Sequence, residues 1–333
     1  MKAVIFEGGN KELVYKDIPI GIPKADEVKI KLKTAGLNRR DLFVISNSSN
    51  IHKPCVLGSD GAGIIVDIGK NVTDFNLNDE VIINPSLRWK SKKIVPDVPE
   101  VLGSPTDGTF AEYVIVPKEN LTLKPSFLTW EEAGVVSLSA LTAYRALFTK
   151  GVLQKGQHLL IPGIGGGVAT FALMFAKAIG AEVTVTSRYT DKLEKAKKIG
   201  ADRLLNTNDD WRAALEECRV DLILDSIGTA TFSKYFDVLK PNGTIVNFGQ
   251  SSGADINLSL KELFYSQFNI LGTSMGSKEE FDEMIQFILN HKIKPIIDQK
   301  YLLCDYRKGL TRMSDGLQSV SYTHLRAHET KAN

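Results

Sequence analysis

A run of glycines gives this sequence its clearest chemical signal. The apolar stretch Leu159-Leu160-Ile161 leads through Pro162 into Gly163, Ile164, Gly165, Gly166, Gly167 and Val168, and a helix-forming segment follows. Glycines between a strand and a helix permit a tight turn and a close approach of phosphate to the backbone, and the helix dipole stabilises the negative charge. We therefore predict that residues 163–168 bind the diphosphate of a dinucleotide, although another phosphate ligand would fit the same pattern.

The end of the next predicted strand indicates which dinucleotide is bound. That strand, Glu182 to Thr186, ends about 20 residues after the glycines, where a dinucleotide-binding fold places the residue that contacts the adenosine ribose. An acidic residue there would accept hydrogen bonds from a free 2′-hydroxyl, whereas this chain has Ser187 and Arg188, with Lys192 further on. These residues favour NADP(H). Two alternatives remain, a solvated loop and stacking of Arg188 on the adenine.

Composition narrows the class of protein. The chain has 333 residues, a formal net charge of +2 and a hydrophobic fraction of 43%, which is typical of folded globular proteins and argues against a binder of nucleic acid or anionic membranes. The cysteines, Cys55, Cys218 and Cys304, are far apart and form no CxxC pair. No stretch approaches the roughly 20 apolar residues of a membrane helix, so we expect a cytoplasmic protein without disulfides.

The secondary structure that the sequence predicts differs between the first and the later part of the chain. The first 120 or so residues read as short β-runs separated by turns, and from about Trp130 strands alternate with helices. Such alternation predicts an α/β fold with a doubly wound parallel sheet. Its strands are expected near His158–Ile161, Glu182–Thr186, Asp221–Asp225, Thr244–Phe248 and Asn269–Thr273.

The end of the chain has two parts. An amphipathic helix over Ser277–His291 and an extended run near Lys294–Leu303 are expected to return the chain to the first domain. Residues 319–333 are polar and show no helical or strand periodicity, so we interpret them as a non-native tail of read-through sequence. His324 and His328 would then have no functional role.

Seven blocks of sequence carry a family resemblance: 35–41 (AGLNRRD), 57–63 (LGSDGAG), 108–113 (GTFAEY), 141–144 (LTAY), the glycine run, 225–228 (DSIG) and 243–249 (GTIVNFG). In this order they resemble the medium-chain dehydrogenase/reductase superfamily, and within it the zinc-free, quinone-oxidoreductase-like branch. The resemblance implies a GroES-like, mainly β catalytic domain over 1–124 and 276–318, and a Rossmann NADP-binding domain over 125–275. It also implies a cleft in which nicotinamide meets substrate.

The resemblance also implies that zinc is absent. Zinc-dependent relatives carry Gly-His-Glu where this chain has Gly58-Ser59-Asp60, and a cysteine ligand in the loop that here runs from Asn38 to Asp41. The four-cysteine structural lobe of those relatives is missing too, since residues 84–108 contain no cysteine. Serine is a poor zinc ligand and one carboxylate cannot replace a Cys/His set. We therefore expect no metal.

Site residues follow from the same resemblance. It places Asn38 near the nicotinamide or a substrate oxygen, although an asparagine here could instead cap the loop. Asp41 is expected to brace that loop, and Asp60 either belongs to the catalytic residues or pairs with Arg39 or Arg40. The cofactor contacts implied beyond the glycine run and the ribose residues are Thr142, Phe248, Gly249, Thr273 and Met275.

The proton donor is left open by the sequence. Many members of the family have a tyrosine in the loop that here spans Ser46–Pro54, and this chain has none. His52 in that loop is an alternative donor, although a single histidine in a polar loop is usually solvated.

The expected activity is hydride transfer from NADPH to quinones or α,β-unsaturated carbonyls, because conjugation delocalises the developing charge without a metal. The alternatives are an alcohol or aldehyde oxidoreductase with another proton relay, and an NADPH-binding sensor without catalysis. The resemblance also implies a homodimer formed through the sheet edge near Asn269–Thr273.

Overall fold

The computed structural model describes residues 1–7, 13–47, 53–318 and 322–326, with only the backbone of 322–324. The chain forms two compact units, one containing Met1–Leu141 and Gly276–Gln318, the other Thr142–Met275. The first boundary lies later than the expected residue 124, because the helix Trp130–Ala133 packs on strands of the first unit. Thr34 Oγ1 donates a hydrogen bond to the carbonyl oxygen of Trp130 at 2.7 Å.

The first unit is mainly β, as expected. Its strands are β1 (Lys2–Phe6), β2 (Leu13–Asp17), β3 (Glu27–Gly36), β4 (Cys55–Val56), β5 (Ala62–Ile68), β6 (Glu80–Ile83), β7 (Ser86–Leu87), β8 (Glu100–Leu102), β9 (Pro105–Thr106), β10 (Tyr113–Pro117), β11 (Leu121–Leu123), β18 (Ile297–Leu302) and β19 (Tyr322–Arg326). Its helices are α1 (Arg39–Ser46), α2 (Trp130–Ala133), α9 (Lys278–His291) and α10 (Tyr306–Ser314).

Strand β3 organises the first unit. It lies in a seven-stranded sheet of order β11-β6-β5-β3-β19-β18, and β10 also pairs with it. Its alternating residues Val28, Ile30 and Leu32 are buried in one hydrophobic cluster with residues of β5, β6 and β10, as the two-residue period of a strand requires. The end of β3 therefore delivers residues 37–41 from a rigid element.

Strand β19 lies in the segment 319–333, whose sequence shows no strand periodicity. Residues 322–326 pair in parallel with β18 and antiparallel with β3, where Leu325 lies opposite Ala35. Leu325 is buried among apolar residues of β1, β3 and α10. The polar sequence around Leu325 gives no readable period, yet this residue packs here because β3 and β18 supply backbone partners on both sides of β19.

The second unit is the expected parallel α/β unit. Its sheet has the order β14-β13-β12-β15-β16-β17, with every pair parallel. The strands are β12 (His158–Ile161), β13 (Glu182–Ser187), β14 (Arg203–Asn206), β15 (Val220–Asp225), β16 (Leu239–Asn247) and β17 (Asn269–Gly272). The helices are α3 (Ser137–Tyr144), which crosses the boundary between the units, α4 (Gly167–Ala178), α5 (Thr190–Ile199), α6 (Trp211–Leu215), α7 (Thr229–Val238) and α8 (Leu260–Ser266).

The sheet order locates the part of this unit suited to ligands. Successive strands run outward from β12 to β14 on one side and from β15 to β17 on the other, so the order reverses between β12 and β15. Ligands of open parallel sheets bind at the carboxyl ends of the strands at such a reversal. The glycine run follows β12 at that point. The sequence did not predict β14, because this strand has only four residues and its sequence is partly polar.

Helix ends in this unit follow from local chemistry. α5 ends at Gly200, whose φ of 114° is a left-handed conformation that glycine adopts without steric cost.

α4 is apolar almost all round and is buried over most of its length. Within the described residues, no helix has the length and apolar character needed to cross a membrane.

Strand β19 can be tested through Leu325, whose side chain is buried. Leu325→Ala removes packing from the core of the first unit, and we expect the free energy of unfolding to fall by about 2–4 kcal/mol. Arg326→Ala, at the exposed neighbouring position, is the matched control and should change it by less than about 0.5 kcal/mol. Equal stabilities of the two variants in urea titrations would show that β19 does not pack as described.

Candidate functional site

The glycine turn after β12 has a conformation that side chains would disturb. Gly163 and Gly165 have φ values of 70° and 142°, which disfavour residues with a Cβ atom. A Cβ atom on Gly163 would also lie 2.5 Å from Cδ1 of Ile227. Both glycines are therefore required by the backbone itself.

The turn is held against the end of β13. The N–H of Ile164 donates to the carbonyl oxygen of Thr186 at 2.8 Å, and the N–H of Gly163 donates to Thr186 Oγ1 at 3.2 Å. Thr186 thus fixes the turn relative to the strand that carries the ribose residues. Sequence reasoning missed this role, because nothing distinguishes Thr186 from other threonines of a strand.

The start of α4 has the geometry of an anion site. Gly166 is the N-cap residue and supplies no side-chain cap, and a Cβ atom on it would meet nothing within 4 Å. Gly167 and Val168 form the first turn of this helix of 12 residues. An anion beside Gly166 would meet the positive end of the helix dipole, so the turn fits a diphosphate.

Cationic side chains lie beside this turn. A Cβ atom on Gly165 would be 3.5 Å from Nζ of Lys192. The centroid of the exposed Tyr189 ring lies 5.1 Å from Lys192 Nζ and 5.7 Å from Arg188 Cζ. Ser187 is buried at the end of β13, and its Oγ accepts a hydrogen bond from the N–H of Tyr189. Its hydroxyl proton can still be donated.

Asp225, at the end of β15, ties together the loops on the other side of the reversal. Its carboxylate accepts hydrogen bonds from the N–H groups of Ile227 and Gly228, from the Tyr235 hydroxyl and from the Asn247 side chain, all between 2.7 and 3.1 Å. Burial raises the pKa of Tyr235, and the nearby Asp225 carboxylate raises it further. Asp225 therefore fixes the ends of both β15 and β16.

The remaining residues expected to contact the cofactor follow these strand ends. The N–H of Phe248 donates to the Asp225 carbonyl oxygen, and the carbonyl oxygen of Gly249 accepts from the Asn247 amide. Thr273 donates its N–H to Asn247, while its buried Oγ1 has no hydrogen-bond partner among the described residues. Met275 has a φ of 53°. An unpartnered buried hydroxyl at this edge fits a polar group of a ligand such as a carboxamide.

In the first unit, Asn38 and Asp41 form one local structure at the start of α1. The N–H of Asn38 donates to Asp41 Oδ2 at 2.7 Å, and the N–H of Asp41 donates to the Asn38 carbonyl oxygen at 2.8 Å. Asp41 braces this turn, as the resemblance implies. Burial raises the pKa of Asp41 to about 7, while the N–H of Asn38 and the Arg40 guanidinium lower it and the Asp60 carboxyl raises it.

Asp60 lies close to the same turn. Its Oδ1 accepts a hydrogen bond from the N–H of Leu138 at 2.7 Å. Burial raises the pKa of Asp60 to about 7, and the Asn38 amide and the N–H of Leu138 lower it. The pairing of Asp60 with Arg39 or Arg40 is not formed in the described part of the chain, because Arg40 donates to the carbonyl oxygens of Leu102 and Ser104 instead.

The residues at this place do not fit zinc. The Ser59 hydroxyl donates to the carbonyl oxygen of Leu102 at 2.8 Å, and the Asn38 side chain is a neutral amide. Over the ranges that the structure describes, no three His, Cys, Asp or Glu side chains come close enough together to hold a metal ion. Two buried carboxyls with a hydroxyl and an amide lack the cysteine or histidine ligands of a zinc site.

The predicted residues thus fall into two groups. Asn38, Asp41 and Asp60 lie together in the first unit, and the second unit brings together the glycine turn, the residues at the end of β13 and those after β16 and β17. Thr142 lies in α3 and is the first residue of the second unit. His52 lies outside the described residues.

Two further residues shape these groups without having been assigned a role. Asp225 could have been recognised, since an aspartate before a Ser-Ile-Gly loop at a strand end is typical of a side chain that binds its own turn. Ser139 donates its hydroxyl to Asn38 Oδ1 at 3.3 Å. Nothing in the sequence singles out this serine of an apolar helix.

The fold and these sites define a class: a two-unit protein with a parallel dinucleotide-type sheet and a mainly β partner unit. Residues 24–126 match the family described as alcohol dehydrogenase GroES-like domain, and residues 167–290 match zinc-binding dehydrogenase. The chain belongs to the medium-chain dehydrogenase/reductase superfamily and is an alcohol dehydrogenase-like oxidoreductase of that family.

Individual relatives agree with this assignment. A protein described as zinc-type alcohol dehydrogenase-like protein YogA, from Leptosphaeria maculans, is 33% identical over 303 residues, which cover 83% of each chain. An acryloyl-coenzyme A reductase from Sulfurisphaera tokodaii is 28% identical over 324 residues, covering 95% of this chain and 97% of its own. The crystal structure of an NAD-dependent alcohol dehydrogenase superposes with a TM-score of 0.90 at 32% identity, covering 98% of this chain and 100% of its own.

The substitution Gly166→Asp tests nucleotide binding at this turn independently of protein stability. Aspartate is a favourable N-cap residue, so the melting temperature should stay within about 2 °C of wild type or rise. Its carboxylate would occupy the place of the diphosphate, and we expect the dissociation constant of the nucleotide to rise at least about 100-fold. Gly166→Ala, as the uncharged control, should raise it less. Unchanged binding by Gly166→Asp in fluorescence titrations would exclude this turn as the diphosphate site.

Proposed function

We propose that the protein is a zinc-independent, NADPH-dependent oxidoreductase that transfers hydride to quinones or α,β-unsaturated carbonyls. One observation carries the proposal: the uncapped glycine turn accompanies a hydrogen-bonded set of Asn38, Asp41 and Asp60 at the place where zinc-dependent relatives have ligands. The glycine turn would then hold the nucleotide, and a hydrogen-bond donor would polarise the substrate.

The second unit would hold the nucleotide through its backbone and its cations. The diphosphate would bind at Gly166 and the first turn of α4, and Lys192 beside Gly165 would add positive charge. Arg188 and the hydroxyl proton of Ser187 would bind a 2′-phosphate, since arginine forms strong charge-assisted hydrogen bonds with phosphate. The NADP preference is part of the proposal, because several relatives are named NAD-dependent.

The first unit would supply the polar contact to the substrate. Asn38 is buried, and its Nδ2 has no partner with hydrogen-bond geometry among the described residues. An amide N–H can donate to a carbonyl oxygen and stabilises it more as negative charge develops there. Asp41 holds the backbone of Asn38 in place through its N–H.

The chemistry then needs no Lewis acid. NADPH supplies hydride from nicotinamide C4, and its electron pair forms the new C–H bond at the β carbon of the enone. The π electrons of the alkene move to the carbonyl oxygen, where the Asn38 amide stabilises the enolate, and a proton from solvent completes the saturated ketone. A quinone is reduced to its hydroquinone by the same two electrons and two protons.

Plain alcohols are the less favoured substrates. Their oxidation requires stabilisation of an alkoxide, which zinc supplies in metal-dependent enzymes and for which this donor set is poorly suited. The name of one relative, acryloyl-coenzyme A reductase, denotes reduction of an activated alkene. Another relative is named zinc-type alcohol dehydrogenase-like protein, whereas the residues of this chain lack the cysteine and histidine ligands of a zinc site.

NADPH oxidation with a panel of acceptors tests the reaction class. With protein treated with a chelator, we expect turnover of a benzoquinone, a naphthoquinone and a cyclic enone, and at least about 100-fold lower activity in Gly166→Asp. Turnover of simple alcohols or aldehydes alone would favour the dehydrogenase alternative. Tight NADPH binding without turnover of any acceptor would favour a sensor.

The cofactor preference is tested by Arg188→Ala. We expect wild type to bind NADPH at least about tenfold more tightly than NADH, and the variant to lose about tenfold for NADPH, since the lost contact is a charge-assisted hydrogen bond. Binding of NADH should stay within about twofold. The matched control is Lys155→Ala, an exposed lysine on the amino side of β12. Equal wild-type affinities for the two nucleotides by tryptophan fluorescence would contradict the 2′-phosphate assignment.

A further inference from the structure

The Asn38 side chain is held at one end and unpartnered at the other. Its Oδ1 accepts a hydrogen bond from the Ser139 hydroxyl at 3.3 Å. Its Nδ2 is buried without a partner that has hydrogen-bond geometry in the described part of the chain, and the residue as a whole is 6% exposed. A buried N–H that lacks a well-aligned acceptor is costly, so a ligand oxygen that meets Nδ2 supplies the acceptor that this geometry lacks.

Two neighbouring residues determine which side of the Asn38 amide carries the oxygen and which side carries the nitrogen. Asp60 and Asn38 bind consecutive residues of the chain, Leu138 and Ser139, so the two side chains lie close together. Burial raises the pKa of the Asp60 carboxyl, and the Asn38 amide accordingly lowers it. If the amide were turned by half a rotation, its oxygen would face the Asp60 carboxyl and two acceptors would oppose each other. The Ser139 hydroxyl would then have to accept from Nδ2, and no N–H would remain for a ligand oxygen on that side.

Each neighbour is itself fixed. Ser139 is 5% exposed and lies in α3, so the main chain of a helix positions its hydroxyl. Asp60 is bound through Oδ1 to the N–H of Leu138, the residue before Ser139. The first turns of α1 and α3 are therefore connected through Asn38 and Asp60.

We propose that Ser139 is a positioning residue, whose hydroxyl, together with the Asp60 carboxyl, orients the Asn38 amide so that Nδ2 donates to the carbonyl oxygen of the substrate. This inference rests on the proposed function and adds to it the group that sets the direction of the donor. The charged groups that face this set are Asp41 and Arg40 of α1.

A positioned amide predicts a particular dependence on substrate. The hydrogen bond from Asn38 Nδ2 matters most for a substrate whose own conjugation does little to stabilise the negative charge that develops on its oxygen. Loss of orientation should therefore slow a simple enone more than a quinone. Loss of protein stability alone would slow all acceptors by the same factor.

Ser139→Ala, with Ser137→Ala as its control, tests the inference. Ser137 lies in the same helix, and its hydroxyl has no partner among the described residues. In Ser139→Ala we expect kcat to fall about tenfold with a cyclic enone and less than about threefold with a benzoquinone, because a misdirected oxyanion donor loses most of its effect. The KM of the acceptor and the dissociation constant of NADPH should stay within about twofold. Ser139→Cys, which keeps a weak donor, should recover part of the loss.

Two results would overturn the inference while the proposed function stands: an equal loss with every acceptor, or an equal loss in Ser137→Ala. If wild type turns over no acceptor, the proposed function itself fails. The amide can then be followed without turnover by the ¹⁵N–¹H signals of its side-chain NH₂, assigned by their loss in Asn38→Ala. We expect these signals to shift or broaden in Ser139→Ala and to persist in Ser137→Ala, and unchanged signals in Ser139→Ala would contradict a positioning role.

Discussion

Under the proposed function, the diphosphate of a dinucleotide is neutralised at a turn whose backbone conformation disfavours side chains, and this constraint governs the second unit. Gly163 and Gly165 adopt conformations that disfavour a Cβ atom, and Gly166 leaves the start of α4 uncovered. Negative charge is therefore met by main-chain dipoles. Thr186 and Asp225 fix the strand ends around this turn, so the rest of the sheet serves to keep a short backbone segment rigid.

In the first unit, the main electrostatic constraint is the burial of two carboxyl groups. Two carboxyls, Asp41 and Asp60, are buried close together, and burial raises the pKa of each to about 7. Main-chain N–H groups and the Asn38 amide offset part of the cost of this burial. A zinc site at this place would usually have cysteine or histidine ligands, which this set lacks. Under the proposed function, the direction of the Asn38 amide would take the part that the charge of a metal has in zinc-dependent relatives.

Much of the fold could be predicted because its signals are local. The strands β12, β13 and β15–β17 are apolar runs bounded by turn residues, and the glycine run stands out in any reading. Strand β14 was not predicted because it is short and partly polar, and β19 was not predicted because its partners β3 and β18 cannot be read from its own sequence. The tail was interpreted as non-native sequence without structure, yet Leu325 packs in the core of the first unit.

The candidate site likewise combines features that the sequence predicts with contacts that it does not predict. Residue types and spacing indicated the diphosphate turn, and the resemblance indicated Asn38, Asp41 and Asp60. The hydrogen bond from Ser139 to Asn38 joins residues 101 positions apart, and no pattern in a single sequence reveals such a contact. The alternative ion pair of Asp60 with an arginine was plausible from charge alone, but Arg40 is bound to main-chain oxygens instead.

The central claim is that hydride leaves a nucleotide bound at the glycine turn and reaches carbon without help from a metal. Its most direct test is a single turnover of metal-depleted protein with NADPH carrying deuterium at C4, prepared in both stereochemical forms, and a cyclic enone as acceptor. We expect deuterium from one of the two forms at the β carbon of the saturated ketone, with zinc far below one equivalent per chain. Transfer that occurs only after zinc is added, or a product without deuterium from either form, would contradict the account.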